Sequence, residues 1–309
     1  MMKKTVLFLA AGILSLAANA RILRVNNTSG GSTPYTTIAA ALEAATDGDT
    51  IMVDASGTAY DNPNIEKSIV LLGPGYNLIK NGITEEGASC AQMGDHDTKS
   101  VTVTAPGVVI KGMTFSSSLY IQTEKVVVNK CYVSSNISLN GDANNSIIHQ
   151  NFVRYGIGGG SYDYEIPSYV QVTNNITLGN ISGIKSGYIA YNTILVNDSY
   201  NLYTCRGCTI EHNWSQVELA RYDGVDTNNN LSDNYVSEDF AEFNRYKADE
   251  ADFAALDVPA RNSYGAFAGS TPYVLSGVPA GPVVQDLVVP ASVEQGSKLQ
   301  VTIKVGSQQ

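Results

Sequence analysis

The chain has 309 residues and a formal net charge of −10. That acidic balance excludes a nucleic-acid binder, because phosphate contacts need clustered Lys and Arg. Its 18 tyrosines suit strands, and tyrosines exposed on a rigid β surface are also platforms for sugar rings.

Residues 1–20 read as a secretory signal. Lys3 and Lys4 give a positive start, Thr5 to Leu16 a short apolar stretch, and Ala18-Asn19-Ala20 a small-residue cleavage site before Arg21. The apolar stretch is too short to span a bilayer, and no later segment is apolar enough to do so. The expectation is an exported protein, periplasmic or extracellular, cut near Ala20.

From Tyr35 to Ala45, Thr36 and Thr37 are possible N-caps, and Ile38, Ala41, Leu42 and Ala45 follow at helical spacing. Asp47-Gly48-Asp49 then makes a turn, and Thr50-Ile51-Met52-Val53 a strand. Farther on, one phrase recurs seven times: an aliphatic anchor, two variable residues, then a polar or soft residue. The anchors are Ile110, Val128, Ile148, Val172, Ile189, Ile210 and Leu231. Three residues after each come Met113, Cys131, Asn151, Asn175, Asn192, Asn213 and Asn234, at steps of 18, 20, 24, 17, 21 and 21 residues. A period of roughly twenty lies in the range of solenoid repeats.

Each unit holds short β-branched runs, such as Val126-Val127-Val128, set between Gly, Asn, Ser and Asp clusters, with no room for a long helix. One unit is then one rung of a parallel β-helix. Rungs stack about 4.8 Å apart, so equivalent residues form columns. The anchors would fill the interior. The asparagines would form a ladder at a tight corner, tolerating left-handed backbone and bonding to one another; the other reading is a polar ligand-binding strip.

Four cysteines are present. Cys131 falls in the ladder column and reads as a small buried hydrophobe. It lies four rungs, about 19 Å, from Cys205 and Cys208, too far for a disulfide with either. The spacing Cys205-Arg206-Gly207-Cys208 leaves open a local disulfide or two free thiols. Residues 238–256 interleave Phe240, Phe243, Tyr246 and Phe253 with Asp and Glu, an acidic amphipathic excursion over the last rungs. Val283 to Val289 and Leu299 to Val305 read as two strands, so residues 271–309 are expected to be a small β appendage that caps or extends a solenoid of residues 21–270.

The alanine-rich helix, Gly-Asp turn and apolar strand of residues 35–53, followed by Lys67-Ser68-Ile69-Val70-Leu71-Leu72-Gly73-Pro74-Gly75-Tyr76, resemble the first two rungs of the pectate-lyase-like family of right-handed parallel β-helices. With the ladder, the resemblance covers residues 33–240. Gly265-Ala266-Phe267-Ala268-Gly269-Ser270 and Pro272 to Pro279 resemble the closing segment of secreted β-helix proteins from anaerobic Gram-negative bacteria. The resemblance implies an all-β, single-stranded, right-handed solenoid with an N-terminal capping helix. A shared fold hosts many activities, so it does not fix the chemistry.

The family includes lyases of acidic polysaccharides, which use an Arg or Lys base and a calcium-bound uronate, and hydrolases, which need two opposed carboxylates. The hydrolase signatures (Asn-Thr-Asp, Asp-Asp, Gly-His-Gly) are absent. The three histidines are His96, His149 and His212, and the last two sit inside the repeated phrase. Counting forward from the anchors, Lys185, Tyr200, Arg221 and Asp223 line up on one face. The longest unit inserts Gly158 to Glu165, a loop that would overhang that face with Tyr162 and Tyr164 as sugar platforms and Asp163 and Glu165 as polar partners.

Two functions follow. The first is a non-catalytic secreted scaffold that binds a polysaccharide or surface glycan through Tyr162, Tyr164, Glu165 and Tyr200, with no cofactor. The alternative is a polysaccharide lyase on an acidic glycan. It would use Lys185 or Arg221 as base, with Asp223 in the same cluster, and Ca2+ held by Asp223 and Asp226. The net negative charge opposes an anionic substrate, which favours the first.

Overall fold

A computed structural model of the chain describes residues 20–28, 33–84, 87–95, 99–160, 166–196, 202–219, 228–236, 248–255, 263–279, 282–288, 298 and 301–307. The aliphatic period builds a parallel β-solenoid whose strands form sheets of ten, eight and six members, here sheets A, B and C. Each rung passes from A through B to C. The anchors pair in one unbroken register, Ile110–Val128–Ile148–Val172–Ile189–Ile210–Leu231. Leu23, Ile51 and Leu71 extend that column toward the N-terminus. Sheet B adds Met93, Phe115, Val133 and Val153 to the interior, and sheet C adds Leu119, Ile137, Ile157 and Ile181. Every rung buries the apolar side of its neighbours, which makes hydrophobic burial along the axis the main source of stability.

The N-terminal cap is helix α1 (Ile38–Ala44), with Thr37 as N-cap accepting from Ala40 N and with Ile38, Ala41 and Leu42 buried. Strand Thr50–Val53 follows as the sequence predicts. Lys67 Nζ donates to the carbonyls of Leu42, Glu43 and Ala45, satisfying the C-terminal end of α1.

At the corner between sheets A and B, the left-handed residue is the one before each ladder residue. Lys130, Gln150, Asn174, Tyr191, His212 and Asp233 have φ between 51° and 56°. The ladder asparagines themselves do not have positive φ, which corrects the expectation that they supply the left-handed turn. Their side chains do the bonding instead. Asn151, Asn175, Asn192 and Asn213 each give backbone N and Nδ2 to the Oδ1 of the next asparagine, at 2.9–3.0 Å. Each Nδ2 also reaches the anchor carbonyl of the preceding rung, as Asn192 does to Val172 O at 2.7 Å.

The outward side of sheet B is apolar, carrying Tyr132, Phe152, Ile176 and Trp214, and the chain covers it with its own later segments. Helix α2 (Glu250–Ala255) contributes Phe253, and residues 263–279 lie along the A–B corner as a strap. The strap runs back toward the N-terminus and touches one rung after another. Gly265 N bonds to His212 O, Asn174 Nδ2 to Ala266 O and Ala268 O, and Lys130 Nζ to Val278 O. Gln150 Nε2 donates to the carbonyls of Thr271 and Pro272. Gly277 sits at φ +53°, where a Cβ would lie 2.4 Å from Lys130 O.

The closing segment therefore lies along the flank rather than at the end of the solenoid, and residues 271–279 belong to it. Of the acidic stretch, residues 248–255 are described, and their polar contacts lie away from the last rungs. Asp249 and Glu250 meet Asn77, Lys80 and Asn81, which follow strand Val70–Leu72 near the N-terminal end. Beyond the strap, strands Pro282–Val288 and Thr302–Ser307 pair antiparallel.

Candidate functional site

Sheet B is covered by the chain itself, and among the described residues the outer face of sheet C carries open hollows. Its outward column runs Thr102–Tyr120–Ser138–Gly158–Ser182–Tyr203. Small residues in its middle leave the surface low, and Tyr120 stands 41% exposed at one side. A groove of about 350 Å³ opens there, lined by Tyr120, Gln122, Ser138, Asn140 and Gly158 to Gly160.

A second groove of about 450 Å³ lies at the corner between sheets B and C. Its main polar and aromatic lining is Tyr132, Ser134, Asn136, Arg154, Tyr155 and Asn180. Tyr155 is 54% exposed. Arg154 Nε donates to Tyr132 Oη at 3.0 Å, and its guanidinium lies 5.5 Å from the Phe152 ring centre. Phe152 in turn stacks on Tyr132 at 5.6 Å. Asn136 Oδ1 accepts from Gly156 N at 2.9 Å, and a Cβ on Gly156 would fall 2.6 Å from Asn180 Oδ1. Glycine at 156 thus lets the two asparagines close over the rung.

Both grooves draw on the same two rungs. One gives Ser134, Asn136, Ser138 and Asn140; the next gives Arg154, Gly156, Gly158 and Gly160. The alternation follows from the period-two geometry of extended chain, in which every second side chain faces out.

Of the residues singled out by sequence for chemistry, Lys185 is described, and it lines neither groove. It is exposed at the corner between sheets C and A, bridged to Ser168 on one side and Arg206 on the other. Its neighbour on the next rung is therefore Arg206 rather than Tyr200, which corrects the alignment counted forward from the anchors. The units lengthen between Val196 and Leu202, so forward counting loses register. Counting back from the next anchor keeps it, because Ser168, Lys185 and Arg206 each lie four residues before Val172, Ile189 and Ile210. Tyr162, Tyr164, Glu165, Tyr200, Arg221, Asp223 and Asp226 lie outside the described residues, as does His96. The segments carrying Tyr162 and Tyr200 depart from Gly160 and Val196, which line the two grooves.

His149 is a half-buried member of sheet A, its Nδ1 2.8 Å from Thr173 Oγ1, and burial lowers its pKa. His212 stacks on Tyr191 with ring centres 4.8 Å apart. Cys205 and Cys208 are free, buried thiols. Among the described residues, no three His, Cys, Asp or Glu side chains gather as a metal site, and no helix is long and apolar enough to cross a membrane.

Arg154, Tyr155 and Tyr120 were not singled out by the sequence reasoning. The signal that would have found Tyr120 is the outward column of sheet C, in which Tyr120, Ser138, Gly158 and Ser182 each lie ten residues after an anchor; Arg154 and Tyr155 lie six and seven residues after Ile148. No protein-family model, curated protein or solved structure matches the chain.

Proposed function

We propose that the protein is a secreted, non-catalytic member of the right-handed, pectate-lyase-like β-helices, and that it binds a glycan on the outer face of sheet C. One observation carries this reading. Two exposed tyrosines, Tyr120 and Tyr155, stand in open grooves lined by side-chain amides and hydroxyls. Aromatic rings give a sugar an apolar face to stack on, and amides and hydroxyls bond its hydroxyls in either direction. The scaffold is rigid, so little order has to be imposed on binding. Tyr162, Tyr164, Glu165 and Tyr200, on segments leaving the groove margins, would extend the same surface.

The lyase alternative asks for a base beside the bound sugar. Lys185, its described candidate, stands at the neighbouring corner outside both grooves. A glycan array scored for binding, run beside an ultraviolet assay for unsaturated uronate ends, tests the reading. Binding to a glycan without new unsaturated ends is expected. Release of such ends, abolished by Lys185→Ala or Arg221→Ala, would replace the scaffold with an enzyme.

A further inference from the structure

We infer that the two grooves form one site for a single linear, uncharged oligosaccharide that crosses sheet C diagonally from Tyr155 to Tyr120; this rests on the glycan-binding reading above.

The geometry begins with the shared rungs. The strand containing Tyr120 pairs with Ile137–Leu139, which pairs with Ile157–Gly158, so Tyr120 and Tyr155 belong to rungs two steps apart. Two steps are about 10 Å along the axis, and the three residues from Tyr155, in the bend before strand Ile157–Gly158, to Gly158 span at most about 10 Å. The separation is then roughly 14 Å, the reach of about three sugar rings. Between the two tyrosines lie Ser138, with a short side chain, and Gly158, with none, so neither raises a barrier between the hollows. Among the described residues, a chain stacked at one tyrosine therefore has a low path to the other.

The lining indicates the class of ligand. In the groove at Tyr155, the polar groups include Ser134, Asn136 and Asn180; in the groove at Tyr120, they are Gln122, Ser138 and Asn140. All are neutral, and amides and hydroxyls both donate and accept, as sugar hydroxyls do. Among the described lining residues, the charged one is Arg154, whose Nε is given to Tyr132 Oη and whose plane packs on Phe152. Lys185 and Arg206 stack at the next corner and line neither groove.

A ligand held at two subsites gains affinity from effective concentration, so binding should depend steeply on chain length. The test is calorimetric titration of the whole mature protein with cello-, xylo- and manno-oligosaccharides of two and six rings, and with oligogalacturonates of the same lengths. Wild type, Tyr120→Ala, Tyr155→Ala and Tyr155→Phe are compared. Both tyrosines are exposed, so the alanine variants should fold, and far-ultraviolet circular dichroism checks this.

At least one neutral six-ring sugar is expected to bind tenfold or more tightly than its two-ring form. Each alanine variant should weaken the six-ring sugar at least fivefold, while Tyr155→Phe, which keeps the ring, should stay near wild type. Neutral binding that Tyr120→Ala leaves unchanged would overturn the bridging path and leave glycan recognition standing. Binding of oligogalacturonates alone would overturn the ligand class in the same way. Absence of binding to every sugar, together with a blank glycan array, would overturn both this inference and the function it rests on.

Discussion

Asn175 gives two protons to one oxygen: its backbone N and its Nδ2 both lie 3.0 Å from Asn192 Oδ1. Asn192 passes its own pair on to Asn213, and its Nδ2 also reaches Val172 O. Both residues are fully buried. Asn192→Ala would leave two donors and one acceptor unmatched in a dry corner, at about 1–3 kcal/mol for each buried group stranded without compensation. A loss of about 3 kcal/mol is expected by urea denaturation. Asn234→Ala, at the last described step of the ladder, should cost less.

Cys131 shows where the ladder stops. Its backbone N donates to Asn151 Oδ1, and its Sγ lies 3.8 Å from Ile110 O and 3.3 Å from Asn129 O. These two carbonyls match the pair that Asn192 Nδ2 reaches, Val172 O and Ala190 O. Cys131→Asn should therefore add a rung to the ladder and stabilise by about 1 kcal/mol, read as a rise in the urea midpoint. A loss of stability would mean that the corner is too tight for an amide. Burial pushes the Cys131 thiol up to about 12, so the wild-type residue should resist alkylation in the folded protein at neutral pH.

These columns were legible in the sequence because they are periodic. The anchors and the asparagines recur at about twenty residues, and each rung imposes the same demand on the same position. Two features were not legible, for physical reasons. The left-handed positions hold Lys130, Gln150, Asn174, Tyr191, His212 and Asp233, residue types with nothing in common, because the corner fixes the backbone conformation while each side chain meets a different part of the strap or its neighbours. The strap and α2 join residues far apart in sequence, such as Asn77 with Glu250 and Lys130 with Val278, and no local pattern announces such contacts. Tyr120 and Tyr155 were missed for a third reason: residue type changes from rung to rung at their positions, as Ser138, Gly158 and Ser182 follow Tyr120 in its column, so no recurring residue marks them.

Glu250 is a buried carboxylate that pins the strap. It accepts from Tyr273 Oη at 2.7 Å, from Ser276 N, and from Asn81 Nδ2 at 2.6 Å. Burial raises its pKa, and the hydrogen bonds only partly oppose this. The folded state then holds the proton to higher pH than the unfolded chain, with its ordinary value of 4.5. Stability from this group is full below 4.5 and is lost as pH rises through the folded value. Relative to Glu250→Gln, wild type should weaken across that window and level off above it, as read from denaturation midpoints against pH. A relative gain in wild-type stability with rising pH would reverse the sign.

Arg21 follows the expected cleavage site, and its backbone N lies 2.8 Å from Asp49 Oδ1. The Arg21 guanidinium, together with the backbone N–H groups of Thr46 and Arg21, holds the Asp49 carboxyl well below the usual carboxylate range. Cleavage after Ala20 would replace that amide with an ammonium group. The carboxylate would raise the pKa of this ammonium, so its contribution is present below the unfolded value of about 8 and is lost as pH rises through the folded one. Protein beginning at Arg21 should melt higher at pH 7 than protein retaining Ala20, and Asp49→Asn should erase the difference. Equal melting temperatures would remove the ion pair.

The most direct test of glycan recognition on sheet C is electrophoresis through native gels containing soluble xylan, glucomannan or mixed-linkage β-glucan. Wild type and the Tyr120→Ala/Tyr155→Ala double variant would run side by side. The prediction is retardation of wild type in at least one of these gels and free migration of the variant. Unretarded wild type in all of them, or equal retardation of both proteins, would contradict it.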